Sequence, residues 1–227
     1  MFSISGFEKT FEYLDLFKQG LICTVSLSFF TVLFGFMLAL VLAVMRLSDF
    51  RPFRSLALTA DGHEKEEGFA AALSRFNPIS FIATVYVEVF RATPMLVQLF
   101  IIYYVVFANV SFPTYKIFGF IRTDRFIPGV VALAMNSGAY LSEIIRAGIQ
   151  SIDGGQTEAS RSLGLSQFET MRYIILPQAI KNILPALLNE VISLLKETSI
   201  SGYIGLMDLT KGGDIIRSNT YEAFLPL

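Results

Sequence analysis

Residues 154 to 177 read GGQTEASRSLGLSQFETMRYIILP, a polar, charge-bearing stretch between two long apolar runs, and its reading decides the fold. Ala159, Leu163, Phe168 and Met171 recur at roughly helical spacing, while Glu158, Arg161, Gln167, Glu169 and Arg172 take the other faces. The pattern predicts short amphipathic helix lying outside a bilayer. Gly164 stands in its middle, where a helix interior loses about 1 kcal/mol relative to Ala. Leu165-Ser166 then offers an end and a fresh N-cap, so two short helices joined at a bend are expected. Pro177 falls where the next apolar run begins, a place proline tolerates in the first turn of a helix.

The composition around this stretch is that of an integral membrane protein. Of 227 residues 53% are hydrophobic, and the 22 Phe with no Trp carry most of the aromatic content. The mean hydropathy is +0.57. Such values exceed the roughly half-apolar norm of soluble domains. A net charge of −1 points to no nucleic acid partner. Cys23, the single cysteine, lies in an apolar run and excludes an internal disulfide. His63, the single histidine, sits in the hydrophilic cluster Asp61 to Glu67, a solvated position that makes neither a metal site nor a catalytic pair.

Working outward, the first 19 residues carry charges and no small-residue cleavage site, against a signal peptide. Gly20 to Met45 contains no charged residue and is long enough for a hydrocarbon core of about 30 Å. A polar connection with an insert from Thr59 to Arg75 follows. The second apolar run, about 79–108, contains Glu88 and Arg91, which at i and i+3 can pair. A charge at the bilayer centre costs roughly 3 kcal/mol on the insertion scale, so the span proper is expected to begin after Arg91, with Pro94 near its start. The third run, about 126–149, holds Asn136, Glu143 and Arg146, and the fourth, about 173–195, holds Lys181, Pro185 and Glu190, with a kink expected at Pro185. Two readings of the Glu-Arg pairs stand open: local ion pairs at a membrane boundary, or the polar lining of a path through the membrane. The sequence thus predicts an all-α polytopic membrane protein with complete spans at about 20–45, 79–108, 126–149 and 173–195, and short helices outside the membrane at about 154–172.

The order Glu158-Ala159-Ser160, then Gly164, then Ile175-Leu176-Pro177 resembles the EAA signature of permease subunits of binding-protein-dependent ABC importers. Ser160 stands where that family usually has Ala, one small side chain for another. Val87 to Gln98 (VEVFRATPMLVQ) is similar to a block of the polar amino acid permeases, with Ala92 for the usual Gly. Met135 to Ile149 and Leu195 to Ser201 (LKETSIS) match further blocks in the same order, and together the matches cover most of residues 86 to 201. The resemblance implies the type I ABC importer permease fold. It implies ATPase coupling through Glu158, Ala159, Ser160, Gly164, Leu165 and Pro177. It also implies a substrate path along which Thr93, Gln98, Asn136, Tyr140, Glu143, Lys196, Thr198 and Ser199 are the candidate contacts. Lys196 has a second reading, a helix end extending its ammonium to the interface. The family has a final spanning helix after Thr220-Tyr221-Glu222-Ala223-Phe224. The chain stops at Leu227, so four complete spans, without the fifth, are expected.

No G-x-x-x-x-G-K-[ST] phosphate loop is present. The resemblance therefore implies a partner ATP-binding subunit that holds ATP and Mg, a second permease subunit, an extracytoplasmic amino acid-binding protein, and a place in the bacterial inner membrane. No enzymatic activity, cofactor or metal is expected in this chain itself. The competing class is an ATP-independent secondary carrier or channel using Glu88, Glu143 and Glu190 as ion or proton ligands. Lysine and arginine divide almost evenly between the two sets of loops, so charge alone does not orient the chain.

Overall fold

The computed structural model of the chain describes residues 11–52, 74–110 and 114–221, and it is helical apart from one short hairpin. Most of the polar insert, with His63, lies outside the described residues, as do the first ten residues and those past Tyr221. Helix α1 (Leu14–Leu47) is the described helix long and apolar enough to cross a membrane by itself. It has no polar face. Phe29, Met37 and Val44 are exposed, whereas Cys23, Leu27, Ala39 and Leu42 are buried, as expected of a helix with lipid on one side and protein on the other.

The second apolar run is not one rod. It forms α2 (Pro78–Ala92) and α3 (Met95–Ile101), followed by a wider i→i+5 turn over Ile102–Val106, and the two qualify as a span only as a broken pair. The break falls at Thr93-Pro94. Proline supplies no N–H and disfavours helical geometry in the residue before it, and Pro94 is extended with ψ 135°. Glu88 and Arg91 lie on α2, before the break, and Pro94 stands at the start of α3.

A two-stranded antiparallel hairpin follows, β1 (Lys116–Ile117) paired with β2 (Ile121–Arg122). Then come α4 (Thr123–Gln150), α5 (Gly154–Ser162) and α6 (Gln167–Glu169). An i→i+5 turn over Thr170–Ile175 leads into α7 (Leu176–Glu197), which continues through Pro185. A 3-10 segment, Thr198–Ile204, and α8 (Leu209–Thr220) complete the order. At about 1.5 Å per residue, α4 and α7 are also long enough to span a hydrocarbon core.

The chain divides into two compact units, one of Met1–Phe36, Thr93–Ser137 and Leu187–Leu227, the other of Met37–Ala92 and Gly138–Ala186. The core of the first is built on Cys23, Leu27, Leu99, Phe126, Leu133 and Leu206. That of the second is smaller, with Leu42, Ala83, Val87 and Ala139 at its centre. Each core takes its members from several helices far apart in sequence.

Candidate functional site

Helices α5 and α6 are built by caps, as an exposed segment must be when it has little core to lean on. Asp153 caps α5 by accepting from the Gly155 N–H at 2.7 Å. The helix ends where the Leu165 N–H reaches the Ser160 carbonyl at 3.1 Å and the Gly164 N–H reaches Arg161 at 3.0 Å, with Gly164 at φ +88°. This double closure uses a left-handed residue, and glycine takes that conformation without the Cβ clash. Two residues on, Ser166 opens α6 with a capping box. Its hydroxyl accepts from the Glu169 N–H, and its own N–H donates to Glu169 Oε2 at 2.8 Å. The Ser166 N–H and hydroxyl hold the Glu169 carboxyl below the usual carboxylate range.

Pro177 follows the widened turn at Thr170–Ile175. In a regular helix its ring would crowd the carbonyl four residues back, and a wide turn relieves that crowding. The lever formed by α5, α6 and this turn presents apolar side chains to the outside. Leu163 is 81% exposed, Phe168 69% and Tyr173 61%. Ser160 is buried, its hydroxyl donating to the Gln156 carbonyl at 2.6 Å; there a small residue is the one that fits. Glu158, Ala159 and Gly164 are exposed and Leu165 is half-buried. Sequence reasoning found the bend but gave no role to Leu163, Phe168 and Tyr173. Their signal was apolar residues recurring in a segment too polar to enter a membrane.

In the same unit, Glu143 is claimed from two directions. Arg46, near the end of α1, donates from Nη1 to Glu143 Oε2, and Arg146 donates to both carboxylate oxygens from Nε and Nη2. The Arg46 side chain is only 10% exposed. Arg146 Nη1 also donates to Gln150 at 2.6 Å. The Glu143 and Arg146 pair is thus part of an ion network. The network extends that pair to a cation 97 residues away in sequence. Glu88 and Arg91 form no ion pair among the described residues. Arg91 lies over the Tyr140 ring at 5.5 Å from its centroid, a cation–π contact that offers the guanidinium an alternative to the carboxylate.

Of the candidate path residues, Tyr140 and Glu143 belong to this unit and the other six belong to the first. Gln98 is buried and turns its Nε2 back on the break before α3, donating to the Thr93 carbonyl at 3.0 Å and the Thr93 hydroxyl at 2.7 Å. Asn136 is buried on α4. At the end of α7 the Thr198 hydroxyl donates to the Leu195 carbonyl and the Ser199 hydroxyl to the Lys196 carbonyl, while Lys196 itself is exposed. Both hydroxyls are spent on their own helix end, though each keeps acceptor capacity.

Asp208 was not singled out from sequence. It caps α8, its Oδ1 accepting from the Lys211 N–H at 2.8 Å, and it is 1% exposed. Helix α1 approaches closely enough that a Cβ on Gly20 would stand 2.8 Å from the Asp208 carbonyl oxygen and from Leu209 Cα. The Thr24 hydroxyl accepts from the Leu209 N–H at 3.1 Å. Burial pushes the Asp208 carboxyl up to about 6, against the opposing pull of the Lys211 N–H. An aspartate three residues before Lys211, ahead of a helix, was the available signal.

Comparison with known proteins meets this geometry. Residues 68–224 match the family model described as binding-protein-dependent transport system inner membrane component. The putative glutamine transport system permease protein GlnP of Rickettsia conorii (strain ATCC VR-613 / Malish 7) is 35% identical over 96% of this chain and 87% of its own. The arginine transport system permease protein ArtQ of Bacillus subtilis (strain 168) is 36% identical over 97% and 85%. Among solved structures, one described as an amino acid ABC transporter with histidines superposes with a TM-score of 0.74 at 43% identity, covering 95% of this chain and 84% of that one. The MetNI methionine ABC transporter in an inward-facing form shares the fold, with a TM-score of 0.61 at 19% identity over 92% and 87%.

Proposed function

This chain belongs to the family of binding-protein-dependent transport system inner membrane components, the permease subunits of ABC importers, and we propose that it carries polar amino acids inward as half of a two-subunit translocation path. The relatives are named for glutamine, arginine and cystine, which share an α-ammonium and an α-carboxylate and differ beyond them. A polar amino acid is the substrate class that fits all three. The observation that carries the coupling mechanism is the capped, outward-facing lever with Leu163 and Phe168 bare.

In this scheme a partner subunit binds ATP and its magnesium ion, and closure of two such subunits drives the lever. The lever is continuous with α7 through the turn at Thr170–Ile175, so its displacement passes directly into a long helix and rocks the path between outward-open and inward-open states. Glu158, Ala159, Ser160, Gly164, Leu165 and Pro177 shape the docking segment. Thr93, Gln98, Asn136, Tyr140, Lys196, Thr198 and Ser199 are path candidates, and Glu143 acts as the anchor of an ion network. An extracytoplasmic receptor supplies the amino acid, and the subunit sits in the bacterial inner membrane with the lever on the cytoplasmic side. The chain performs no covalent chemistry of its own here. The ATP-independent carrier loses ground on Glu143, since a carboxylate already bracketed by two guanidiniums is a poor ion or proton ligand.

Co-purification of the permease with its ATPase tests the coupling. Gly164→Pro, whose ring forbids a φ of +88°, and Glu158→Lys are expected to abolish association while the permease still reaches the membrane. Full retention of the ATPase by both variants would refute the docking role. Uptake of labelled amino acids by vesicles holding permease, ATPase and receptor tests the substrate class, and uptake of sugars or metals instead would overturn it.

A further inference from the structure

Between the 3-10 segment Thr198–Ile204 and α8 lies a hollow of about 390 Å³, open on one side, to which Ser199, Tyr203, Thr210, Lys211 and Asp214 contribute. Lys211 and Asp214 are one turn apart on α8 and therefore share a face. One cation and one anion of opposite placement, set among two hydroxyl residues and a phenol, form a donor and acceptor set complementary to a zwitterion. The volume exceeds what a single free amino acid occupies.

We propose that this hollow receives the head group common to free α-amino acids, Lys211 taking the carboxylate and Asp214 the ammonium. Among the described residues no carboxylate stands within ion-pair distance of Lys211. Asp214 is paired with Arg217 at 2.9 Å, but both side chains are 40% exposed or more. An exposed pair of that kind is weakly held and readily exchanged. Ser199, a candidate from the sequence, donates its hydroxyl proton to the Lys196 carbonyl at 2.8 Å, and so faces the hollow as an acceptor for an ammonium group. Tyr203 is 67% exposed and lines the open side, where its ring can cover a ligand. A site of this make-up reads the part that all amino acids share and leaves the side chain to be read elsewhere. The inference rests on the amino acid import reading and deepens it.

The test is equilibrium binding of labelled L-glutamine and L-arginine to the detergent-solubilised complex of permease and ATPase, without receptor. Competition by glutamine α-amide and by N-acetyl-glutamine reports on each charge separately. Lys211→Ala is expected to weaken both amino acids at least tenfold and to erase the preference for glutamine over its α-amide. Asp214→Asn is expected to weaken both similarly and to erase the preference over N-acetyl-glutamine. Lys211→Arg restores binding, and Arg217→Gln, which releases Asp214, leaves binding as strong as in the wild type or stronger. Wild-type affinity in Lys211→Ala and Asp214→Asn would overturn the site and leave the import reading standing. So would a loss of affinity that leaves discrimination between analogues intact. A wild-type complex that neither binds nor transports any amino acid would instead overturn the import reading itself.

Discussion

The lever at residues 153–175 and the segment at residues 197–220 are made from the same local parts and differ in how they are covered. Each has a short helix opened by a capping side chain, Ser166 for α6 and Asp208 for α8. Each has a left-handed glycine, Gly164 at φ +88° and Gly205 at φ +77°. Around Gly164 a side chain would meet nothing within 4 Å, whereas one on Gly205 would strike the Arg125 guanidinium. Leu163 beside the first glycine is 81% exposed, and Leu206 beside the second is 2% exposed. Backbone grammar alone does not tell an uncovered segment from one already covered by its own chain. The packing around it does.

The contrast can be broken or sharpened by substitution, with the melting temperature of the purified subunit in detergent as the common measure. The largest loss is expected from Gly20→Ala. Its new methyl would meet backbone atoms of Asp208 and Leu209 that have no rotamer to escape into, at a cost of about 3 kcal/mol. Gly205→Ala is expected to cost about 2 kcal/mol, from the left-handed backbone and from displacing the bond that Arg125 Nη1 donates to the Gly205 carbonyl at 2.6 Å.

Asp208 adds a pH dependence opposite in sign to that of Glu169 in the lever, whose carboxyl is held low so that its contribution is lost on acidification. Its carboxyl is raised in the folded state from 3.8 to about 6, so the folded chain holds the proton more tightly than the unfolded one. The contribution is full below pH 3.8 and is lost as pH rises through 6. Between pH 5 and 7 the loss amounts to about 1 kcal/mol. Asp208→Asn, which keeps a capping side chain, should flatten that part of the profile, and an unchanged profile would remove Asp208 as its source.

The smallest effects on stability belong to the lever. Gly164→Ala should cost no more than about 1 kcal/mol, and Leu163→Ser or Phe168→Ser should stay within about 0.5 kcal/mol. The same two serine variants should weaken capture of the ATPase at least tenfold, since bare apolar side chains of this size are what anchor an interface. A large drop in melting temperature for Phe168→Ser would show that the lever packs on its own chain and would dissolve the contrast.

The lever was legible in sequence because its signals are local. A glycine in a helical pattern, a serine three residues before a glutamate and a proline at the next run each act within one turn. Arg146 beside Glu143 was legible for the same reason. Arg46 was not, because nothing in the spacing of Met45-Arg46-Leu47 says which carboxylate, 97 residues on, it will reach. The break before α3 shows an intermediate case. Pro94 was visible as the start of a helix, which α3 bears out, but the sharp bend between α2 and α3 was not foreseen. Asp208 carried a readable helix start, yet its burial depends on Gly20, almost the whole chain away.

The uncovered face of Leu163, Phe168 and Tyr173 also bears on how the cell makes this protein. A copy synthesised in excess of its motor leaves three greasy side chains in water on a short, marginally stable element, the kind of display that chaperones hold and proteases clear. On the docking reading, surplus permease is expected to be cleared faster than permease held by its ATPase, and lifetimes measured with and without the ATPase would check it.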